Sequence, residues 1–446
     1  MLQDNEDKEE NERKQNIKGI FSLAAPIMIE NALHMLLGTM DMYFAGRLED
    51  RAIAGIGVTN LVMNLFISFF TAVSVGATAV TARHYGGKDF GSVNRSIVHS
   101  LVMGAAAGIA SGGICAAFSG LILHASGAEE AVIEYARPYY LAVAVPCVVL
   151  SLQLVLSSCL RAVKDTRTPM YVTGISNVFN ILLDLLFIRA GWGILGLGLA
   201  TTLSRCVSVC VLFLRLRVHD RNIKLSVCKP EKETFASILR IGIPAGMEKL
   251  IMRVGQLIYG SMILSMGTTA YIAHNITGNI ESYSYIPATG IGLAVCTLVG
   301  VALGENDVAK ARETASAAYR GSLGLMVLFG AVFFIFAPGL ASLFTETAEI
   351  RSLVAASLRV IALFQPFVFL VQIMTNALQG AGDTRFPMYA TLIGIWGIRM
   401  GVGYLLASRF HLGLVGVWYA YGFDVTVRGM LLWGRFRKGK WKKARL

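Results

Sequence analysis

Four stretches of this 446-residue chain run for more than 20 residues without a charge: Ala52 to Ala82, Pro138 to Leu160, Ser282 to Gly304 and Gly321 to Thr345. A helix rises 1.5 Å per residue, so about 20 apolar residues suffice to cross the hydrocarbon core of a bilayer. Repeated along one chain, such windows predict a polytopic membrane protein. Charged residues make up only 15% of the sequence and its mean hydropathy is +0.59; a soluble domain carries about a quarter charged residues. An ordinary cytosolic enzyme is thereby excluded. At about 20 residues per crossing plus short loops, the length allows some ten to thirteen spans and no large soluble domain.

The net charge of +12 does not point to nucleic acid, because the cations are confined to alternate loops. Arg83, Lys88 and Arg95 share one loop; Arg161, Lys164 and Arg167 another; a third holds Arg215 to Lys232, a fourth Lys310 to Arg320, and Arg435 to Arg445 form a tail. The intervening loops carry little beyond Arg47, Arg51, Arg189, Arg351 and Arg409. The positive-inside rule then puts both termini in the cytoplasm of a cell membrane, which requires an even number of spans. The seven cysteines are odd in number and, Cys228 apart, lie in apolar runs, so they read as small core residues. Residues 1–17, rich in acids and lacking a basic start, read as a solvated cytoplasmic tail and not a secretory signal.

Periodicity divides the remainder into twelve helices, six on each side of a hydrophilic linker at 219–233. The predicted organisation is an N-terminal bundle over 18–218, a C-terminal bundle over 234–437 and a basic tail over 438–446. The bundles are copies. Asp165, Thr166, Arg167, Pro169, Met170 and Tyr171 recur as Asp383, Thr384, Arg385, Pro387, Met388 and Tyr389, and the same offset of 218 carries Pro26 onto Pro244 and Glu30 onto Glu248. Copies with an even number of helices share one orientation, so the expected fold is all-α, two six-helix bundles related by a pseudo-twofold axis along the membrane normal. No nucleotide-binding loop accompanies it; Gly191 to Gly198 follows nothing strand-like. The energy source is expected to be an ion gradient.

Ionisable groups inside spans are costly and mark function. Counting residues from the helix ends places Asp41, Asp184 and Thr202 at one level, roughly 8 to 12 Å from the outer surface. Asn177, Asn180 and Asp184 share one helix face. Two carboxylates, a carboxamide and a hydroxyl form a hard oxygen set that suits Na⁺, or a carboxylate pair able to share a proton. The bland alternative is pairing with arginines such as Arg205. In the second half Glu281 is the acid nearest mid-depth, with Arg253 or Arg399 as candidate partners, and Asp424 with Arg428 has the i, i+4 spacing of a structural pair. Met63, Met252 and Tyr283 are candidate walls for an organic substrate.

The duplicated Asp-Thr-Arg-x-Pro-Met-Tyr segment, Ala25-Pro26, Asp41 to Arg47 and Val299 to Gly304 together resemble the multidrug and toxic compound extrusion (MATE) family over about residues 18–437. The resemblance implies a secondary antiporter that exchanges H⁺ or Na⁺ for amphipathic, often cationic, organic compounds; no cofactor, no nucleic-acid partner and a monomeric state are expected. It implies a cation site at Asp41, Asn180, Asp184 and Thr202, with Tyr139 beside it, and a helix-bending role for Pro26. The positions equivalent to Asn180 and Asp184 in the second copy are Ile398 and Val402, so the coupling site is expected in the first half alone. Two rivals remain: a flippase for lipid-linked sugars, which needs free cations such as Arg205, Lys249, Arg253 and Arg399, and a membrane-embedded enzyme, for which no convergent His, Ser or metal set is visible.

Overall fold

The computed structural model describes residues 2–125, 129–219, 223 and 229–443. Positions 220–222 and 224–228 of the expected linker, with Cys228, lie outside the described residues, as do Met1 and the last three residues of the basic tail. Among the described residues there is no strand. The helices are α1 (Leu2–Gly46), α2 (Asp50–Gly86), α3 (Phe90–Ala117), α4 (Ser119–Ala125), α5 (Glu130–Ala144), α6 (Cys147–Ala162), α7 (Arg167–Arg189) and α8 (Gly193–His219), then α9 (Lys232–Leu264), α10 (Thr268–Gly304), α11 (Val308–Gly321), α12 (Leu323–Ile335), α13 (Ala337–Ser342), α14 (Ala348–Gly380), α15 (Arg385–Leu392) and α16 (Gly413–Arg437). Joined across their short breaks they make the twelve expected spans. Among the described residues nine pass a length-and-hydropathy test for crossing a membrane, and a tenth is the bent pair α5–α6.

Several predicted helices differ in detail, for local reasons. The first begins at Leu2, not at 18, so the expected tail continues the helix. The fourth breaks between α5 and α6 with a bend of 44° at Val145 and Pro146, because proline has no amide hydrogen to carry the ladder on. The ninth is interrupted at Ser322, whose hydroxyl donates to the Tyr319 carbonyl at 2.8 Å, and again at Phe336, ahead of Pro338. The eleventh leaves α15 as a π-helix over Ile393–Val402 and Leu405–Arg409. Gly394, Gly397, Gly401 and Gly403 lie in this stretch, where the missing side chains ease the wider coil.

The chain packs as two compact units, one formed by residues up to Met28 with those from Met247 onward, the other by Ile29–Gly246. Both divisions fall inside a helix, α1 or α9, and not in the linker. Each lies two residues past a proline, Pro26 or Pro244, at equivalent positions of the two copies. Each unit therefore takes in the first part of the other copy's leading helix. In the first unit a methyl placed on Gly290 would lie 2.4 Å from Met28 Cγ, and one on Gly321 3.0 Å from Ile17. In the second, a methyl on Gly76 would lie 2.3 Å from the Ile238 carbonyl oxygen, and one on Gly242 2.4 Å from that of Ala72. Such glycine contacts supply the close packing that membrane helices need in place of a hydrophobic drive.

The duplication reaches the turns. After α2, Lys88 takes φ 57° and Asp89 accepts the Ser92 amide at 3.0 Å; after α10, Asn306 takes φ 59° and Asp307 accepts the Lys310 amide at 2.8 Å. The Ser92 hydroxyl and amide hold the Asp89 carboxyl below the usual carboxylate range.

Candidate functional site

In the unit Ile29–Gly246, four helices bring buried polar groups together. Asp41 comes from α1, Tyr139 from α5, Asn180 and Asp184 from α7, and Thr202 and Arg205 from α8. Asn180 and Asp184 are fully buried, Asp41 is 8% exposed and Tyr139 2%. In the amide orientation that satisfies both its ends, Asn180 donates to Asp184 Oδ2 at 3.1 Å and accepts the Thr201 N–H at 3.2 Å. Asn177, one turn earlier, is held elsewhere and donates to the Leu33 carbonyl at 2.7 Å. Among the described residues, one oxygen of each carboxylate, Asp41 Oδ1 and Asp184 Oδ1, has no hydrogen-bond partner.

The charges do not balance. Asp41 is within electrostatic range of Arg205, whereas among the described residues the charge acting on Asp184 is that of Asp41. Two buried carboxylates, of which one has an arginine within range, leave a negative excess that hydrocarbon does not tolerate. A bound cation or a proton removes it. The alternative of pairing with Arg205 is not what is seen: among the described residues no ion pair or hydrogen bond joins Arg205 to either acid. Thr202 turns its hydroxyl toward α5, where it donates to the Ala142 carbonyl at 2.7 Å. Its oxygen keeps its lone pairs free to accept.

The second unit builds a different polar cluster. Asp424 Oδ2 accepts from Arg399 at 2.6 Å and from Arg428 at 2.8 Å, which makes the expected i, i+4 pair a triad including Arg399. The Arg399 guanidinium also lies over the Tyr421 ring, 4.2 Å from its centroid. Glu281 pairs with neither expected arginine; it accepts the Tyr421 hydroxyl, which meets that of Tyr285 at 2.5 Å. Arg253 instead donates to Gln256 at 3.3 Å. Tyr421 was not singled out in the sequence, and neither was Tyr259, which the offset of 218 places opposite Asp41 and whose hydroxyl donates to the Val417 carbonyl.

The substrate-wall candidates separate. Met63 is 4% exposed within an apolar cluster that includes Phe70 and Ile133, Met252 is half-buried, and Tyr283 is 51% exposed. Met63 occupies the position equivalent to Glu281, as Val402 does that of Asp184, so neither of these acids is repeated in the other copy. The repeated glutamates also differ. Glu30 accepts from Arg161 at 3.0 Å, whereas Glu248 accepts from Gln379 at 3.1 Å and Thr391 at 3.3 Å. Gln379 is the counterpart of Arg161, so the ionic contact of the first copy is neutral in the second.

The MatE family model matches residues 26–186 and 244–405, two ranges whose starts are the two equivalent prolines. The chain is 32% identical to a probable multidrug resistance protein NorM of Thermotoga maritima, covering 96% of this chain and 93% of that one. It is 26% identical to an uncharacterized transporter, YisQ, of Bacillus subtilis over 95% of this chain and 94% of that protein. Its fold is similar to a crystal structure of MATE in the bent conformation, with a TM-score of 0.90 at 24% identity over 97% of each chain.

Proposed function

Because the chain belongs to the MatE family of membrane transporters, we propose that it is a secondary active multidrug exporter in which Asp41, Asn180, Asp184 and Thr202 bind the ion, H⁺ or Na⁺, whose inward movement drives export. The observation that carries this reading is the pair of buried carboxylates, each with an oxygen that has no hydrogen-bond partner among the described residues. A site with excess negative charge binds either an inorganic cation or protons, and its occupancy is exchanged for that of a cationic organic substrate elsewhere in the protein. Tyr139 closes the site from α5. Both termini lie in the cytoplasm and the chain sits in the cell membrane as a monomer; the confinement of cations to alternate loops supports that orientation. The test is efflux of a cationic dye from proteoliposomes under separately imposed pH and Na⁺ gradients. Equal efflux with and without both gradients overturns the reading.

The flippase alternative needs unneutralised cations, and of its candidates Arg399 is neutralised by Asp424. Membership of a transporter family also argues against the enzyme alternative.

Two expected results follow from the asymmetry of the halves. Glu281→Gln keeps an acceptor oxygen for Tyr421 and is expected to alter dye affinity or thermal stability while leaving the pH and Na⁺ dependence of efflux in place. Loss of that dependence would move ion coupling to the second half. Pro26 withholds an amide from the Ser22 carbonyl four residues earlier, which permits a bend. Pro26→Ala is expected to lower the maximal efflux rate by about threefold or more, equivalent to roughly 0.7 kcal/mol on the barrier, with little change in half-saturating dye. An unaltered maximal rate counts against a mechanical role.

A further inference from the structure

Pro146 ends α5, and its ring nitrogen carries no hydrogen to donate to the carbonyl four residues back, that of Ala142. In hydrocarbon a freed carbonyl must find another donor, and a Ser or Thr hydroxyl from a neighbouring helix is the common solution. Here the donor is Thr202 on α8, with Oγ1 2.7 Å from the Ala142 oxygen. The approach depends on Gly198, one turn before Thr202 on the same face of α8. A methyl on Gly198 would lie 2.9 Å from Ala142 Cβ and 3.2 Å from the Tyr139 carbonyl oxygen, so the bare backbone lets α8 settle against α5.

The bond decides what Thr202 offers to the site. A hydroxyl has one proton and two lone pairs. With the proton committed to Ala142, Oγ1 is left as an acceptor, one residue after the Thr201 amide that binds Asn180 of the same cluster. We infer that Pro146 is a positioning residue for ion coupling: by leaving the Ala142 carbonyl without a backbone partner, it fixes Thr202 as an oxygen ligand for the coupling ion.

The second copy supplies an internal comparison. The counterparts of Pro146 and Thr202 are Phe364 and Ala420, and α14 there runs unbroken from Ala348 to Gly380. Break and hydroxyl are lost together, in the half that also lacks the Asn180 and Asp184 equivalents.

The inference rests on the reading of Asp41, Asn180, Asp184 and Thr202 as the coupling site, and the experiment separates the two. The full chain is reconstituted in proteoliposomes, and dye efflux is measured against Na⁺ concentration and pH for wild type, Pro146→Ala, Thr202→Val, Thr202→Ser, the Pro146→Ala/Thr202→Val double variant and Asp184→Asn. Pro146→Ala restores a backbone donor to Ala142 and frees the Thr202 proton. It is expected to raise the half-saturating concentration of the driving ion about fivefold, the scale of one redirected hydrogen bond, with half-saturating dye unaltered. Thr202→Ser, which keeps the hydroxyl, is expected to stay within about twofold of wild type, and the double variant to match Thr202→Val alone. An ion profile unaltered in Pro146→Ala, or a double variant showing the product of the single effects, overturns the inference. Should Pro146→Ala fail to reconstitute, equal ion profiles in Thr202→Ser and Thr202→Val overturn it. If Asp184→Asn keeps wild-type ion dependence, the site reading itself fails; if Asp184→Asn loses it while Pro146→Ala leaves the profile in place, only the positioning role falls.

Discussion

Asp41→Asn and Asp184→Asn are each expected to reduce ion-driven dye efflux to the level seen without a gradient, a loss of about tenfold or more, since every 1.4 kcal/mol of lost ion binding is a factor of ten. Each replacement removes a charge but little volume, so packing around α1 and α7 is retained. At position 184 an amide oxygen can still accept from Asn180, which holds the local hydrogen bond while deleting the negative excess. The Oδ1 atoms that lack partners among the described residues show why the acids are costly without a ligand. Thermal unfolding in detergent should show both variants folded. Gradient-driven efflux at wild-type rates in either one would reject the site.

The largest effect on stability is expected at Asp424, which is fully buried between Arg399 and Arg428, themselves 7% and 3% exposed. Asp424→Ala strands two desolvated guanidinium groups. Breaking a buried ion pair on one side typically costs about 3–5 kcal/mol, and here two contacts are lost at once. The variant is expected to unfold at a markedly lower temperature or to accumulate poorly. Replacing the triad as a group, with Asp424→Leu, Arg399→Met and Arg428→Leu, is expected to recover much of the loss, because no buried charge is then left unpaired. An Asp424→Ala protein with wild-type thermal stability would show that the arginines find other partners.

The membrane charges were legible because hydrocarbon makes them expensive: Asp41, Asp184 and the Asp424, Arg428 spacing stand out in otherwise apolar helices. The apolar partners of a charge were not. Glu281 is held by Tyr421, itself bonded to Tyr285, residues that interfacial or packing roles explain equally well from sequence. The Thr202 bond to Ala142 was hidden because it depends on where a helix breaks, and a proline in a hydrophobic run does not state whether it kinks the helix or is absorbed. Pro26, Pro244 and Pro366 lie inside continuous helices, whereas Pro146 lies in a break. The repeat itself was readable to the residue, since the offset of 218 reproduces even the left-handed turn residues Lys88 and Asn306. What periodicity omits is the identity of the neighbour. It reports that α1 has apolar positions, not that Ile17 and Met28 meet Gly321 and Gly290, far along the chain.

That exchange of leading segments fixes an order of assembly. The unit Ile29–Gly246 has all its residues once synthesis has passed the first half of α9, so it can close while α10 to α16 are still to be made. The other unit includes the chain up to Met28, whose contacts at Gly290 and Gly321 must await α10 and α11. The segment first out of the ribosome is therefore the one that waits longest for its partners, and each repeat, translated alone, would lack an end that the other supplies.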